Sequence, residues 1–158
     1  PCTSWFAVDS QNHINESDES NNVHGPVIPP ASSTSSYQPP QPDLRITNVT
    51  VAKASGYLTY KVTVKNQGAA GMNNQAKLAL YPNSGTTTPT VGTWSQWSTS
   101  TNTLQAGAQE VISYTVYDSS VYASCANGCY HSVIVDNDET ISEEDESNNV
   151  WGATLLTP

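Results

Sequence analysis

In the stretch YLTYKVTVK, residues 57–65, apolar and polar side chains alternate from Leu58 onward. A period of two places successive side chains on opposite faces of a β-strand, so that one face meets a core and the other meets water. Similar alternation recurs over 76–80 and 112–116, and no window longer than a few residues shows helical spacing. The pattern predicts an all-β chain, folded as an antiparallel β-sandwich of about seven short strands.

Turn signals such as NQG at 66–68 divide the chain into the predicted strands. The Thr/Ser-rich stretch 82–103 leaves the middle strands undefined. The remaining strands are predicted over the sequences DLRITNVTVAK, YLTYKVTVK, AKLALY, QEVISYTVY, CYHSVIVD and NNVWGATLL.

An ungapped internal repeat constrains the organisation of the chain. The sequence CTSWFAVDSQNHINESDESNNVHG from Cys2 aligns at one constant offset with CYHSVIVDNDETISEEDESNNVWG from Cys129. Repeats of this kind are typical of modular arrays, and the first copy holds only the end of a module. We therefore expect residues 1–25 to be the end of a preceding module or an assembly segment. Residues 26–42 form a Pro/Ser/Thr-rich linker, and residues 43–158 form the sandwich.

The charge of the chain excludes several classes of partner. Asp and Glu number 14 against 5 Lys and Arg, which gives a formal net charge of −9. This balance argues against nucleic acids and against anionic membrane surfaces, since both are bound by clustered Lys and Arg. No apolar run is long enough to span a bilayer. The scarcity of Lys and the abundance of Ser and Thr favour a secreted surface protein.

The acidic segment of the second copy is a candidate calcium site. Hard oxygen ligands at this density are what Ca²⁺ prefers, although the spacing lacks the glycine of an EF-hand loop. The alternative is structural, because Asp and Asn side chains accept backbone N–H bonds and cap turns. Calcium is the one cofactor considered, and its candidate ligands are Asp136, Asp138, Glu143 and Asp145.

The three cysteines suggest one disulfide. Cys125 and Cys129 bracket the turn sequence ANG, which can bring two α-carbons within disulfide reach. We expect this bond in an oxidising compartment. A zinc site would need further Cys or His at fixed spacing, and the sequence offers none. Cys2 aligns with Cys129 but lacks a partner of its own, so it is predicted to be free or bonded to another chain.

No catalytic constellation is visible in the sequence. His13, His24 and His131 are scattered singly, and none lies in a recognisable motif with a nucleophile. A lone histidine on a strand is more often packed or solvated than catalytic. The chain is therefore predicted not to be an enzyme.

Sugars enter the predictions in two ways. Trp94 and Trp97 lie in a polar loop and would stack on sugar rings if exposed, which makes a carbohydrate-binding module the alternative function. The structural interpretation is that both rings pack over the open edge of the sandwich. Short sequence patterns also mark candidate glycosylation sites. These are Asn48, Ser33, Thr34, Thr86, Thr87 and Thr88.

Four motifs together resemble the CARDB family, the cell-adhesion-related domain found in bacteria. They are PDL at 42–44, VTVKNQG at 62–68, LQAG at 104–107 and VIVDNDETISEEDESNNV at 133–150. The resemblance covers residues 43 to about 156, and residues 1–25 resemble the tail of a second copy. It implies an immunoglobulin-like sandwich, without catalytic residues, used in tandem arrays on bacterial and archaeal surface proteins.

These features predict a non-catalytic structural module of an extracellular array, stalk or fibre on a prokaryotic cell. Its expected partners are neighbouring modules, identical subunits or glycans. An isolated two-stranded hairpin is marginal in water, so residues 1–25 should be held by the rest of their own domain or by a neighbouring subunit through strand addition. The apolar residues assigned to this contact are Trp5, Phe6, Val8, Ile14 and Val23.

Overall fold

A computed structural model describes residues 3–11, 13–18, 20–27, 38–125 and 127–157. The chain divides into two compact units, Pro1–Gln38 and Pro39–Pro158. Three residues with predicted roles, Cys2, Ser33 and Thr34, lie outside the described residues, as does most of the predicted linker.

The first unit is an antiparallel hairpin of two strands, β1 (Ser4–Ala7) and β2 (Val23–Val27). Its large apolar side chains are solvent-exposed, because two short strands without a second layer cannot cover them. The exposed set contains Trp5, Phe6, Val8, Ile14 and Val23.

The second unit is an immunoglobulin-like antiparallel β-sandwich, which confirms the predicted fold class. One sheet has the order β3–β4–β7, and the other has the order β6–β5–β8–β9. The seven strands of this unit and its one-turn helix are β3 (Leu44–Ala54), β4 (Tyr57–Asn66), β5 (Lys77–Pro82), β6 (Trp97–Ser100), β7 (Gln109–Val116), α1 (Ser119–Ser124), β8 (Cys129–Ile134) and β9 (Val150–Leu156).

The core lies between the two sheets, and the side chains predicted to share the apolar face of each strand point into it. Along β4, the side chains of Leu58, Tyr60, Val62 and Val64 are fully buried, while the intervening residues are exposed or half-buried. Two leucines of β5 and Val133 of β8 face them from the opposite sheet in the same apolar cluster. Each fully buried aliphatic side chain contributes about 1.5–3 kcal/mol relative to an exposed one, so alternation of this kind fixes which face turns inward.

Two elements, β6 and α1, were not predicted from the sequence. β6 lies in the polar stretch 82–103, and its Trp97 pairs with Leu80 of β5 and packs against the core. The helix α1 begins at Asp118, whose side chain accepts hydrogen bonds from the backbone nitrogens of Ser120 and Val121. Such a cap stabilises a helix N-terminus, but six residues are too few to show a periodic pattern.

The NQG turn positions the start of the first sandwich strand. The buried side chain of Asn66 accepts a hydrogen bond from the Asp43 backbone nitrogen at 3.1 Å and donates to the carbonyl oxygens of Ala70 and Leu104. Gly68 lies against the same segment, because a Cβ added there would be 2.5 Å from the Asp43 backbone nitrogen. The sequence motif is thus explained by a close backbone approach.

We expect Gly68→Ala to lower the free energy of unfolding by about 1–3 kcal/mol, because the methyl group would push two backbone segments apart. Gly71→Ala is the matched control, since its Cβ would meet only the movable side chain of Gln105. Urea unfolding of both variants measures the difference. Equal stability of the two variants would contradict the proposed close approach.

Candidate functional site

The acidic segment between β8 and β9, residues 136–149, is called here the clasp loop. Its first residue, Asp136, is fully buried and has a φ of 49°. One carboxylate oxygen accepts hydrogen bonds from the backbone nitrogen and hydroxyl of Thr140, and the other accepts from the Ile141 backbone nitrogen at 3.0 Å. Asp136 therefore shapes the turn from within the loop.

Glu143 connects the clasp loop to the first strand of the sandwich. Its Oε2 accepts a hydrogen bond from the backbone nitrogen of Leu44, and its Oε1 accepts one from Asn149 Nδ2 at 2.7 Å. The side chain is only 5% exposed, so its hydrogen-bond acceptors are satisfied by protein groups.

Three further hydrogen bonds hold the residues 41–44, called here the start segment. The Asn148 amide donates to Asp43 Oδ1 at 2.8 Å, and the Glu144 backbone nitrogen donates to the Pro42 carbonyl oxygen at 2.9 Å. The Gln41 amide donates to the Ser142 hydroxyl at 2.9 Å. The clasp loop thus joins the last hairpin of the sandwich to the beginning of its first strand.

Three carboxyl groups converge in the clasp loop. Oxygen atoms of Asp136, Glu143 and Glu146 all lie within 4.8 Å of one another. Burial raises the pKa of Glu143 to about 7 and also raises the pKa of Asp136. Of the four predicted calcium ligands, the structure brings together Asp136 and Glu143. Glu146, which was not among the predicted ligands, is the third member of the group.

The other two predicted ligands lie outside this group and are exposed. Asp145 accepts hydrogen bonds from the backbone nitrogen and hydroxyl of Ser147, and these bonds lower the pKa of Asp145. Asp145 thus caps a local turn. Asp138 lies close enough to Asp136 for its negative charge to raise the pKa of Asp136.

The loop of the first unit repeats the hydrogen bonds of the clasp loop. Asp9 has a φ of 47°, and its two carboxylate oxygens accept from the backbone nitrogens of His13 and Ile14 at 2.9 and 2.8 Å. Asp18 accepts from the Ser20 backbone nitrogen at 2.9 Å, the same distance as in the Asp145–Ser147 pair. The repeated sequence therefore folds into the same turn in both units.

The strand register is also the same in the two hairpins. Ala7 pairs with Val23 and Phe6 pairs with His24, and the residues 127 positions later pair in the same way. The surroundings differ, because the counterparts of Phe6 and Val8 in the sandwich are fully buried, whereas these two are 62% and 71% exposed. The first unit thus repeats the register of β8–β9, but the face that is buried in the sandwich is exposed here.

Cys125 and Cys129 are joined by a disulfide, with their α-carbons 4.9 Å apart. His131 lies beside this bond: its Nε2 is 3.1 Å from Cys129 Sγ, and its Nδ1 is 2.6 Å from the Tyr60 hydroxyl. Burial lowers the pKa of His131 to about 4, so the ring is neutral at pH 7. Alternate residues of a strand share a face, and this spacing was the one signal that could have linked His131 to Cys129.

The residues assigned to sugars are spread over the second unit. Trp94 is 78% exposed, whereas Trp97 is half-buried and packs against the core. Asn48, Thr86 and Thr87 are exposed. Thr88 is half-buried, and its hydroxyl accepts a hydrogen bond from the Ala153 backbone nitrogen. Glycosylation of these residues stays a prediction.

Glu143 makes the stability of the sandwich depend on pH. Its folded pKa near 7 lies above the ordinary value of 4.5, so the folded state holds an extra proton between these values. The free energy of unfolding therefore falls as pH rises from about 4.5 to about 7. We expect Glu143→Gln to make this fall shallower in urea titrations, while Glu144→Gln, a change at an exposed neighbour, leaves it intact. An unchanged slope in Glu143→Gln would contradict the assignment.

Two solved structures of one protein domain are similar to this chain. The chain is similar to the CARDB domain of a Pyrococcus furiosus protein in a crystal structure with di-metal ions, at 24% identity and a TM-score of 0.47, covering 70% of this chain and 87% of that one. A solution NMR structure of the same domain gives 22% identity and a TM-score of 0.48, covering 70% and 89%. No curated protein matches the chain.

Within the described residues, no helix is long and apolar enough to cross a membrane.

The sequence model of the CARDB family, the cell-adhesion-related domain found in bacteria, matches residues 41–153. The chain therefore belongs to the CARDB family of non-catalytic, adhesion-related domains.

Proposed function

We propose that the chain is a structural module of an extracellular array, stalk or fibre on a prokaryotic cell, and that residues 1–25 are the end of a second CARDB-like module. One observation carries the proposal: the hairpin β1–β2 has the register and turn bonds of β8–β9 but an uncovered core face. An exposed apolar face and a strand edge without a sheet partner favour association.

The second unit indicates what the missing cover consists of. There, the apolar face of β8 packs against the opposite sheet β3–β4–β7 in one core cluster, and the edge of β8 pairs with β5, with Leu80 opposite Val133. The start segment, which leads into β3 of that opposite sheet, is bonded to the clasp loop. The cover expected for the first unit is therefore a second sheet equivalent to β3–β4–β7, which begins with a start segment of the Pro-Asp-Leu type, together with a strand equivalent to β5 at the free edge.

Two arrangements can supply this cover. In a covalent tandem array, the preceding part of the same domain provides it. In a non-covalent fibre, a neighbouring subunit provides it by strand addition. The alternative of a carbohydrate-binding module has less support, because Trp97 packs against the core and Trp94 is left as a single exposed ring. Glycans on the exposed Thr and Asn side chains would fit the proposed extracellular role.

Adding the missing cover should fold the first hairpin into a second sandwich. The variant places a copy of residues 39–129 in front of Thr3, which preserves the spacing of the repeat. We expect residues 4–27 to gain amide-exchange protection, since their backbone and apolar side chains would become enclosed. Phe6→Asp in the extended chain should abolish this protection, whereas Val111→Asp, at an exposed position of β7, should not.

Unprotected amides over 4–27 in the extended chain would contradict the assignment of this hairpin to a second module. The complementary variant lacks residues 1–25. It should keep the cooperative unfolding of the sandwich and lose end-to-end association, as seen by size-exclusion chromatography and electron microscopy. Fibres that still form without the segment would refute its assembly role.

Calcium binding by the clasp loop is the second proposal. The converging oxygens of Asp136, Glu143 and Glu146 repel one another when ionised, and a divalent cation would relieve this repulsion. Asn149 offers a further oxygen, since its buried Oδ1 has no hydrogen-bond partner among the described residues. The Pyrococcus furiosus domain forms a complex with di-metal ions in its crystal structure.

Calcium at 100 times its dissociation constant would add about 2.7 kcal/mol to the stability of the fold. We expect a higher melting temperature in CaCl₂ than in chelator, and Glu146→Gln should abolish the difference because it removes one converging charge. Asp138→Asn, at an exposed residue outside the converging group, should retain it. Identical melting of the parent protein in calcium and chelator would show that the clasp loop is only a turn.

A further inference from the structure

Three groups of a kind that binds soft metal ions are buried together beside α1. Cys125 follows the helix, Cys129 begins β8, and His131 is two residues further along the same strand. Their exposures are 0%, 5% and 0%, and one ligand atom from each lies within 4.8 Å of the others. No carboxylate belongs to this group among the described residues, so its chemistry is that of sulfur and imidazole.

The ring of His131 is held so that Nε2 faces the sulfurs. Tyr60 contacts Nδ1 at 2.6 Å, and the two rings meet edge to face with centroids 5.5 Å apart. A bonded sulfur carries no hydrogen, so in the disulfide form Nε2 donates to Cys129 Sγ and Nδ1 accepts from the Tyr60 hydroxyl. Sulfur is a weak acceptor, and a buried N–H group is poorly matched by it.

We infer that Cys125, Cys129 and His131 form a Zn²⁺ site when their disulfide is reduced. The spacing is Cys-x₃-Cys-x-His, and two thiolates with one imidazole are a donor set that Zn²⁺ takes. Three protein ligands leave a fourth position for water. The spacing of the cysteines in the sequence indicates no further zinc ligand, and the structure supplies one as His131.

The chemistry balances with a small dithiol as the reductant. The protein disulfide takes up two electrons and two protons, and the dithiol becomes a cyclic disulfide. Zn²⁺ then displaces the two thiol protons to solvent. The imidazole proton moves from Nε2 to Nδ1 and Nε2 binds the metal, so the hydrogen bond to Tyr60 reverses: Nδ1–H now donates to Tyr60 Oη, and the tyrosine hydroxyl no longer donates to the ring. Tyr60 is therefore a positioning residue.

The required movement is small. Zn–S bonds of about 2.3 Å at a tetrahedral centre place the two sulfurs about 3.7 Å apart. Sulfurs released from a disulfide separate to a similar distance by van der Waals repulsion alone. The metal would tie the end of α1 to the start of β8, as the disulfide does, so each redox state of the protein holds the same two elements together.

The test uses the full chain with Cys2→Ser, which removes the remaining thiol, and CoCl₂ as a spectroscopic probe that ZnCl₂ displaces. After reduction by dithiothreitol and its removal under anaerobic conditions, we expect one Co²⁺ per chain, with thiolate-to-cobalt charge-transfer bands. The oxidised protein should bind none at this site. His131→Gln should lose binding, and Tyr60→Phe should weaken it by about 10–100-fold.

Two controls keep the outcome clear. Cooperative melting of oxidised His131→Gln shows that this variant folds, and His24→Gln, at an exposed histidine of β2, should bind like the parent. The inference is overturned if reduced protein shows no thiolate-to-cobalt bands. It is equally overturned if folded His131→Gln binds Co²⁺ as tightly as the parent, since the imidazole would then take no part.

Discussion

The buried carboxyl group of Glu143 joins the two ends of the sandwich. It accepts the backbone N–H of Leu44, where the first strand begins, and the amide of Asn149, where the last strand begins. Breaking either hydrogen bond would leave a buried polar group unsatisfied and would lower the free energy of unfolding by about 1–3 kcal/mol. The start segment and the last hairpin therefore depend on each other, and a hairpin of this type is incomplete without a start segment.

The repeated acidic phrase has a local part and a long-range part. Asp9 and Asp136 make the same turn, and Asp18 and Asp145 make the same cap, although one unit is exposed and the other belongs to a packed sandwich. These hydrogen bonds join residues two to five positions apart, so they form within each loop and need no contact with the rest of a sandwich. The bonds of Glu143 to Leu44 and of Asn148 to Asp43 span about a hundred residues and exist only in a complete sandwich.

This difference between local and long-range bonds explains which features of the structure could be predicted from the sequence. The faces of β4 were predictable because its period of two records burial directly. β6 was not predicted because its residues after Trp97 are all polar and show no alternation. α1 was not predicted because six residues are too few for apolar side chains to recur at helical spacing. Glu146 is held near Glu143 because its carboxylate accepts a hydrogen bond from the Glu143 backbone nitrogen, so the spacing of acids alone could not identify this convergence with Asp136.

β8 carries distinct chemistry at its two ends. It starts at Cys129 and His131 beside α1, and the clasp loop follows its other end at Asp136. Four of its six residues are completely excluded from solvent, and it lies between β5 and β9. In the proposed array, tension on residues preceding the start segment would act both on its hydrogen bonds to residues 66–70 and on the hydrogen bonds of the clasp loop. The clasp-loop bonds would pass their load to β8, the strand whose other end is held by a covalent tie.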